Sequence, residues 1–336
     1  MLSRKKEYGL LSGCGQEIEV PSITNYCMKI RLNDCLGGGT YGQVFGGTIG
    51  MKTDQICSEV VYKRMILGGK CIRSDSCRCT YCMEIFCYKK LDRLKVTHSY
   101  SAEFFPIFFG GFEAHIVNLP APNNFVFLVM ERCETDAFSF KRKINPFSQD
   151  AFIDLSTQLL EAQRFLLMVA NIVHIDVKPN NILFDFKSFT FKVCDFGLAL
   201  EKRNGQRSLP SSSLRRRGTA RYMPIEITKS PRNAVNLEKA IIYQVCICIV
   251  EIFFYRMEQS FAVDYAEMVK SGGEKKYEAN SDISGAKKIY FPKEYSCPAW
   301  VTGEEIRGCI ETGLYTNPIY RPDMDTMIEI FKNSIK

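Results

Sequence analysis

The sequence predicts an α+β protein whose 336 residues suit two lobes or one large domain, at roughly 100–200 residues per domain. Three features carry that class. A glycine-broken, β-rich stretch, Gln43–Gly50, is followed by the apolar strand Val60–Lys63. Apolar residues recur at helical spacing over Tyr81–Leu91 and again over Asp150–Ala170. The most apolar segment, Ala240–Tyr255, is 16 residues long and carries Gln244 and Glu251. It is short of the ~20 residues of a membrane span and reads as a buried helix.

Composition narrows the classes further. Apolar residues at 46% and charged residues at 24% argue against wholesale disorder and against a membrane bundle, so a soluble chain with no membrane partner is expected. Fifteen cysteines, an odd number spread along the chain, read as reduced thiols in an intracellular protein, in cytoplasm or nucleus. The basic start Arg4-Lys5-Lys6 has no apolar run behind it, so no targeting peptide is expected. The net charge of +7 comes from residues dispersed apart from Arg215-Arg216-Arg217, which makes a nucleic-acid partner unlikely. Residues 203–218 combine Gly, Pro, Ser and Arg with almost no apolar residue and read as an exposed, mobile loop.

Leu36-Gly37-Gly38-Gly39-Thr40-Tyr41-Gly42-Gln43-Val44 has glycines at G-x-G-x-x-G. The same spacing opens dinucleotide-binding folds, but there a helix follows, whereas here the flanks are β-rich, so the loop reads as a hairpin turn. Without Cβ atoms, its backbone N–H groups can approach phosphate oxygens; a plain glycine hairpin is the alternative. Lys63 ends an apolar strand, 19 residues after Val44 and 21 before Glu84. It reads either as a solvated strand end or as a phosphate-binding lysine held by a helix glutamate.

His174-Ile175-Asp176-Val177-Lys178-Pro179-Asn180-Asn181 packs an acid, a lysine and an amide into a short loop between a helix and the strand Ile182–Phe184. Fourteen residues after Asn181 comes Asp195, in Val193-Cys194-Asp195-Phe196-Gly197. Phosphoryl transfer uses such groups: a carboxylate takes the attacking hydroxyl's proton, an amide and a second carboxylate hold Mg²⁺, and a cation offsets charge on the transferring group.

The ordered set resembles the eukaryotic-type protein kinase family over roughly residues 30–333. The resemblance implies a bilobal protein-kinase-like fold, with an N-terminal extension at 1–29, a small β-rich N-lobe over 30–131 and a larger, mainly helical C-lobe over 132–336. It implies ATP and Mg²⁺ as cofactors and protein substrates with Ser or Thr acceptors. The backbone of Gly37, Gly38, Gly39, Thr40, Tyr41 and Gly42 would cover the ATP phosphates and Val44 would pack on the adenine. Lys63 would bind the α- and β-phosphates and pair with Glu84. Asp176 would be the catalytic base, Lys178 would neutralise the γ-phosphate, and Asn181 and Asp195 would hold magnesium. Met130 stands as gatekeeper, with backbone at Glu131 and Cys133 facing the adenine edge. Thr219 would hydrogen-bond Asp176 and Lys178, and Glu226 of Pro224-Ile225-Glu226 would pair with Arg321. Lys178 and the Gly218-Thr219 pair are similar to the serine/threonine branch.

Several positions depart from the family. Ile175 stands where many members have the arginine that receives an activation-loop phosphate, so activation by phosphorylation is in doubt. Ile241 and Tyr243 stand where an aspartate and a tryptophan usually begin the large-lobe core helix, so other groups must satisfy the catalytic-loop backbone. Such departures are typical of divergent kinases, including those of large DNA viruses, whose products act in the host cell. They also keep a pseudokinase scaffold as the rival reading. Cys71, Cys77, Cys79 and Cys82 read as thiols in a surface insert, with four-thiolate zinc binding as the alternative, and Cys87 reads as core. Arg215–Arg217, beside Ser208 and Ser211–Ser213, reads as a solvated loop, a phosphorylation target, a docking site or a pseudosubstrate.

Overall fold

The computed structural model describes residues 7–9, 17–20, 26–39, 42–51, 57–66, 77, 79–117, 124–143, 148–215, 217–228, 233–254, 304–315 and 317–334. Thr40, Tyr41, Cys71, Arg216 and Tyr255, named above, lie outside the described residues, as does most of 1–29. The chain divides into two compact units, Met1–Val96 with Pro106–Arg132, and Thr97–Phe105 with Cys133–Lys336.

The first unit is built on a seven-stranded sheet. Its strands are β1 (Glu7–Gly9), β2 (Glu17–Val20), β3 (Tyr26–Gly39), β4 (Gly42–Met51), β5 (Cys57–Ile66), β6 (Phe108–Val117) and β7 (Asn124–Glu131), in the order β1-β6-β7-β5-β4-β3-β2. All pairs are antiparallel except β1 with β6. The central strands are apolar on both faces: Val60, Val61 and Tyr62 of β5 and Val126–Met130 of β7 are all buried. Tyr62 keeps its hydroxyl paired by donating to the Thr48 carbonyl at 2.7 Å. Helix α1 (Thr80–Leu94) buries Met83, Glu84, Cys87, Tyr88 and Leu91, one stripe at helical spacing, and Tyr88 stacks on Phe108 at 5.1 Å.

Helices carry the second unit. They are α2 (Ser99–Ala102), α3 (Ala137–Lys143), α4 (Gln149–Arg164), α5 (Ser211–Leu214), α6 (Ile225–Thr228), α7 (Leu237–Ile249), α8 (Glu304–Gly313) and α9 (Met324–Asn333). Short strands fill the intervals: β8 (Thr135–Asp136), β9 (Ile172–Val173), β10 (Ile182–Asp185), β11 (Thr190–Val193), β12 (Leu200–Glu201), β13 (Ser208–Pro210) and β14 (Ala234–Asn236). Ser148 caps α4 by accepting the Ala151 N–H, Asn236 caps α7 and Asp323 caps α9. The expected helix over Asp150–Ala170 is α4 followed by one wide turn at Phe165–Val169. Ala240–Tyr255 maps to α7 and a second wide turn, Val250–Phe254, and from Ala240 on α7 is buried on every side, as a helix so rich in apolar residues must be. Phe140, Phe184 and Phe191 pack ring to ring at 4.1–5.8 Å and seat the β10–β11 hairpin on α3.

One expectation is corrected. The stretch at 203–218 is largely exposed, as expected, but 208–214 are not loop: β13 pairs with β14, and α5 follows directly. Leu214 is fully buried and Ser211 with it, while Ser212 and Ser213 between them are exposed. A composition poor in apolar residues hid a segment tied down by one leucine and a backbone ladder.

Burial makes several thiols inert. Cys246 and Cys248 in α7 and Cys309 in α8 are buried, and desolvation pushes the Cys309 thiol up to about 12, with Cys246 and Cys248 also raised well above the ordinary value. In mass-spectrometric mapping of the native protein with iodoacetamide near pH 8, exposed Cys35 is expected to alkylate and these three to react only after unfolding.

Candidate active site

Within the first unit, register places the glycine loop beside the lysine. Gly37 pairs with Val44, Val44 with Lys63, and Lys63 with Leu128, one line running across four strands. Residues paired in this way point to the same face. The loop is a hairpin, with Gly39 opposite Gly42. A Cβ on Gly42 would run into the backbone carbonyl of Arg64, so packing requires glycine there; above Gly37 the space is open. Lys63 Nζ donates to Glu84 Oε1 at 2.8 Å and to Oε2 at 2.9 Å. Both side chains are nearly out of water, 10% and 0% exposed, so each charge depends on the other for compensation.

Met130 is buried near the end of β7. Glu131 donates its N–H to the Ile107 carbonyl at 2.9 Å, while its Oε2 accepts the Ile107 N–H at 3.0 Å. Its backbone N–H is therefore already used. Cys133 is half-buried at the start of the second unit's long segment.

In the second unit, Asp176 gathers the other named residues. The turn Pro179–Asn181 follows Lys178 and brings Asn181 back to the acid, a fold that proline at its first position favours by fixing φ. Asp176 is 4% exposed. Its Oδ2 accepts from Lys178 Nζ at 2.8 Å and from Asn181 Nδ2 at 3.1 Å, and its Oδ1 accepts from the Thr219 N–H at 2.7 Å and the Thr219 hydroxyl at 2.8 Å. Lys178 Nζ also donates to Thr219 Oγ1 at 3.0 Å, which leaves the threonine proton for Asp176. Burial pushes the Asp176 carboxyl upward, but the Lys178 hydrogen bond and charge, with Thr219, outweigh it and hold the group below the ordinary carboxylate value. It is ionised at neutral pH.

Asn181 commits its NH₂ to the Asp176 carboxylate and, at 2.9 Å, to the Asp176 carbonyl, so its Oδ1 is the atom left to meet a cation. Its own carbonyl accepts the Cys194 N–H at 3.0 Å, which ties it to the residue before Asp195. Asp195 has φ of +62°, a conformation uncommon for a residue with a Cβ, and Phe196 beyond it is fully buried against the His174 ring at 5.2 Å. His174 Nε2 faces the Cys194 carbonyl at 2.9 Å, which requires the proton on Nε2. Asn181 and Asp195 thus offer two oxygen donors of the hard type that magnesium takes.

An amide ties the catalytic loop to α7. Ile175 is fully buried, and its carbonyl accepts from Gln244 Nε2 of α7 at 2.8 Å. In the sequence Gln244 is only a polar residue in an apolar run; a lone amide on a helix buried nearly all round is the signal that it has a specific partner. A second unforeseen link joins the Tyr222 hydroxyl to Glu251 Oε2 at 2.8 Å, with burial and the neighbouring carboxylate raising the phenol well above its usual range. Arg321, its side chain wholly buried, makes the expected fork to Glu226 at 2.6 and 3.0 Å. In the Arg215–Arg217 run, Arg217 donates to the Ala199 carbonyl at 3.3 Å.

A family model, the protein kinase domain, matches residues 30–329. Similar curated proteins include a probable cell division protein kinase of Encephalitozoon cuniculi, 36% identical over 104 residues, 31% of this chain and 30% of that one. Another is the serine/threonine-protein kinase dkf-2 of Caenorhabditis briggsae, 25% identical over 220 residues, 64% of this chain and 16% of that one. A mitogen-activated protein kinase kinase, MST7 of Pyricularia oryzae, is 24% identical over 239 residues, 70% of this chain and 52% of that one. The match thus spans between a sixth and about half of these relatives' own lengths.

Two substitutions check the second-unit network. Gln244→Leu strands the Ile175 carbonyl but also removes Gln244 Oε1, which has no partner among the described residues. The expected cost is therefore about 1 kcal/mol, the low end for a stranded buried acceptor, read as a lower denaturant midpoint at unchanged m-value. Gly218 has φ of +125°, and a Cβ there would lie 2.7 Å from the Ile175 carbonyl oxygen. Gly218→Ala is expected to push Thr219 off Asp176 and lower turnover at least tenfold, with far-UV circular dichroism unchanged.

Proposed function

The chain belongs to the protein kinase domain family, and we propose that within it this is an active enzyme that transfers the γ-phosphoryl group of ATP to serine and threonine hydroxyls of proteins. The observation that carries the reading is the Asp176 carboxylate, ionised and held by Lys178, Asn181 and Thr219. A group so fixed can orient a hydroxyl and take its proton as the new O–P bond forms and the bond from γ-phosphorus to the ADP oxygen breaks, the electron pair leaving with ADP.

The remaining roles follow from charge and position. Lys178 lies beside the base and supplies a cation for the transferring group. Lys63, fixed by Glu84, supplies a second cation for the α- and β-phosphates. Gly37–Gly42 offers backbone N–H groups to the phosphates, Val44 and Met130 apolar surface to the base, and Glu131 and Cys133 backbone polar groups to its edge. Asn181 and Asp195 would hold Mg²⁺, which when bound offsets phosphate charge. Lys178 bridging Asp176 and Thr219 supports the serine/threonine assignment, since these residues carry the resemblance to that branch.

Buried Ile175 leaves no cation at that position to receive a phosphate, which supports activity without activation-segment phosphorylation. The Gln244 bond ties the Asp176 loop to α7, which supports the catalytic reading over the scaffold.

The test is transfer of labelled phosphate from ATP with Mg²⁺ to a basic protein substrate, followed by phosphoamino-acid analysis. We expect phosphoserine and phosphothreonine from wild type and a loss on the order of 10²–10⁴-fold in Asp176→Ala. Lys63→Met leaves Glu84 charged and buried, which costs about 3–5 kcal/mol, so it is paired with the double variant Lys63→Met/Glu84→Gln. The double variant is expected to regain stability and stay inactive. Tight ATP binding without any transfer by wild type would replace this reading with the scaffold.

A further inference from the structure

Three thiols at the start of α1 take no part in the reaction proposed above. The Sγ atoms of Cys77, Cys79 and Cys82 all lie within 4.8 Å of one another, Cys77 buried and the other two half-buried. We propose that these three cysteines bind one zinc ion as thiolates, and that the ion anchors the first turn of the helix that carries Glu84.

Geometry comes first. A tetrahedral zinc with Zn–S bonds of about 2.3 Å holds its sulfurs about 3.8 Å apart, so the three thiols need close by no more than about 1 Å, a side-chain adjustment. A disulfide would engage two of them and strand the third. The burial pattern also suits an ion: Cys77 is shielded, while Cys79 and Cys82 keep a side open to solvent for entry.

Local electrostatics favours negative sulfur here. Cys79 is the N-cap of the 15-residue α1, and its Sγ accepts the Cys82 N–H at 3.5 Å. The first turn holds no acidic residue, so the positive end of the helix is left to the thiolates. Thiolates select zinc over magnesium or calcium, and three of them leave one tetrahedral position for water or a further donor. Each thiol gives up its proton on binding, so uptake strengthens as pH rises.

The consequence lies two residues further on. Glu84 follows Cys82 within the same helix and must present its carboxylate to Lys63 from full burial. An ion fixing the first turn sets the rotation of α1 and hence that orientation. Metal binding by these thiols is independent of whether the chain transfers phosphate.

The experiment is metal analysis of the full chain purified under reducing conditions, with Cys79→Ser, Cys82→Ser and, as a control outside the cluster, Cys35→Ser. We expect about one zinc per chain in wild type and Cys35→Ser and a loss of at least tenfold in occupancy in the other two. To separate metal loss from misfolding of those variants, wild type is also exchanged with Co²⁺, where a thiolate-to-cobalt charge-transfer band with tetrahedral visible bands is expected. Zinc retained in Cys79→Ser and Cys82→Ser would overturn the proposal. So would reduced wild type that takes up neither metal, or a disulfide within the cluster in the freshly purified protein.

Discussion

A carboxylate held almost out of water at Asp176 is the constraint on which the second unit turns. Burial alone would drive the group toward its neutral form, and the charge survives because four hydrogen bonds converge on its two oxygens. Those donors come from three places in the chain: the lysine two residues on, the amide at the end of the next turn, and a threonine 43 residues away. Satisfying one charge therefore ties the loop after β9 to the segment before α6. The same contacts that make burial tolerable also fix the acid's direction, so the cost of desolvation and the precision of a reactive group have one source.

The first unit solves the same problem with one pair. Lys63 and Glu84 are brought together from a central strand and a packed helix, and neither could be buried singly. Their meeting depends on the stripe that seats α1, with Met83, Cys87 and Tyr88 around Glu84. Here the apolar contacts position the ions, and the ions in turn penalise any rotation of the helix. That dependence makes the start of α1 a sensitive place, whether it is held by its cap alone or by a metal.

Buried polar groups near the departures from the family pattern find partners of their own. The fully buried Ile175 side chain adds apolar packing where a cation would need compensation, and its carbonyl accepts the Gln244 amide N–H. Glu251, buried in the turn after α7, finds the Tyr222 hydroxyl. In each case a buried polar group is met by a side chain far from it in sequence. A buried polar group sets a requirement for a donor or acceptor, not for a particular side chain.

Much of this was legible in one dimension because local periodicity and short-range spacing encode it. The strand at Val60–Lys63, the helices over Tyr81–Leu91 and Ala240–Tyr255, the hairpin at the glycines and the clustering of Asp176, Lys178 and Asn181 follow from patterns within a few residues, where alternation, helical repeat and proline geometry act. Tertiary structure decided the rest. Gln244 lies 69 residues from the carbonyl it serves, and nothing in its neighbourhood names that partner. The ordering of residues 208–214 comes from pairing with a strand at Ala234–Asn236 and from one buried leucine, against a composition that reads as loop. The approach of Cys77, Cys79 and Cys82 depends on where α1 starts and which way its cap points. Sequence alone determined which chemical groups the chain holds and the local elements that carry them. Which buried donor answers which buried acceptor is settled only when distant segments close on each other, because that choice is made by desolvation, and desolvation exists only in the packed molecule.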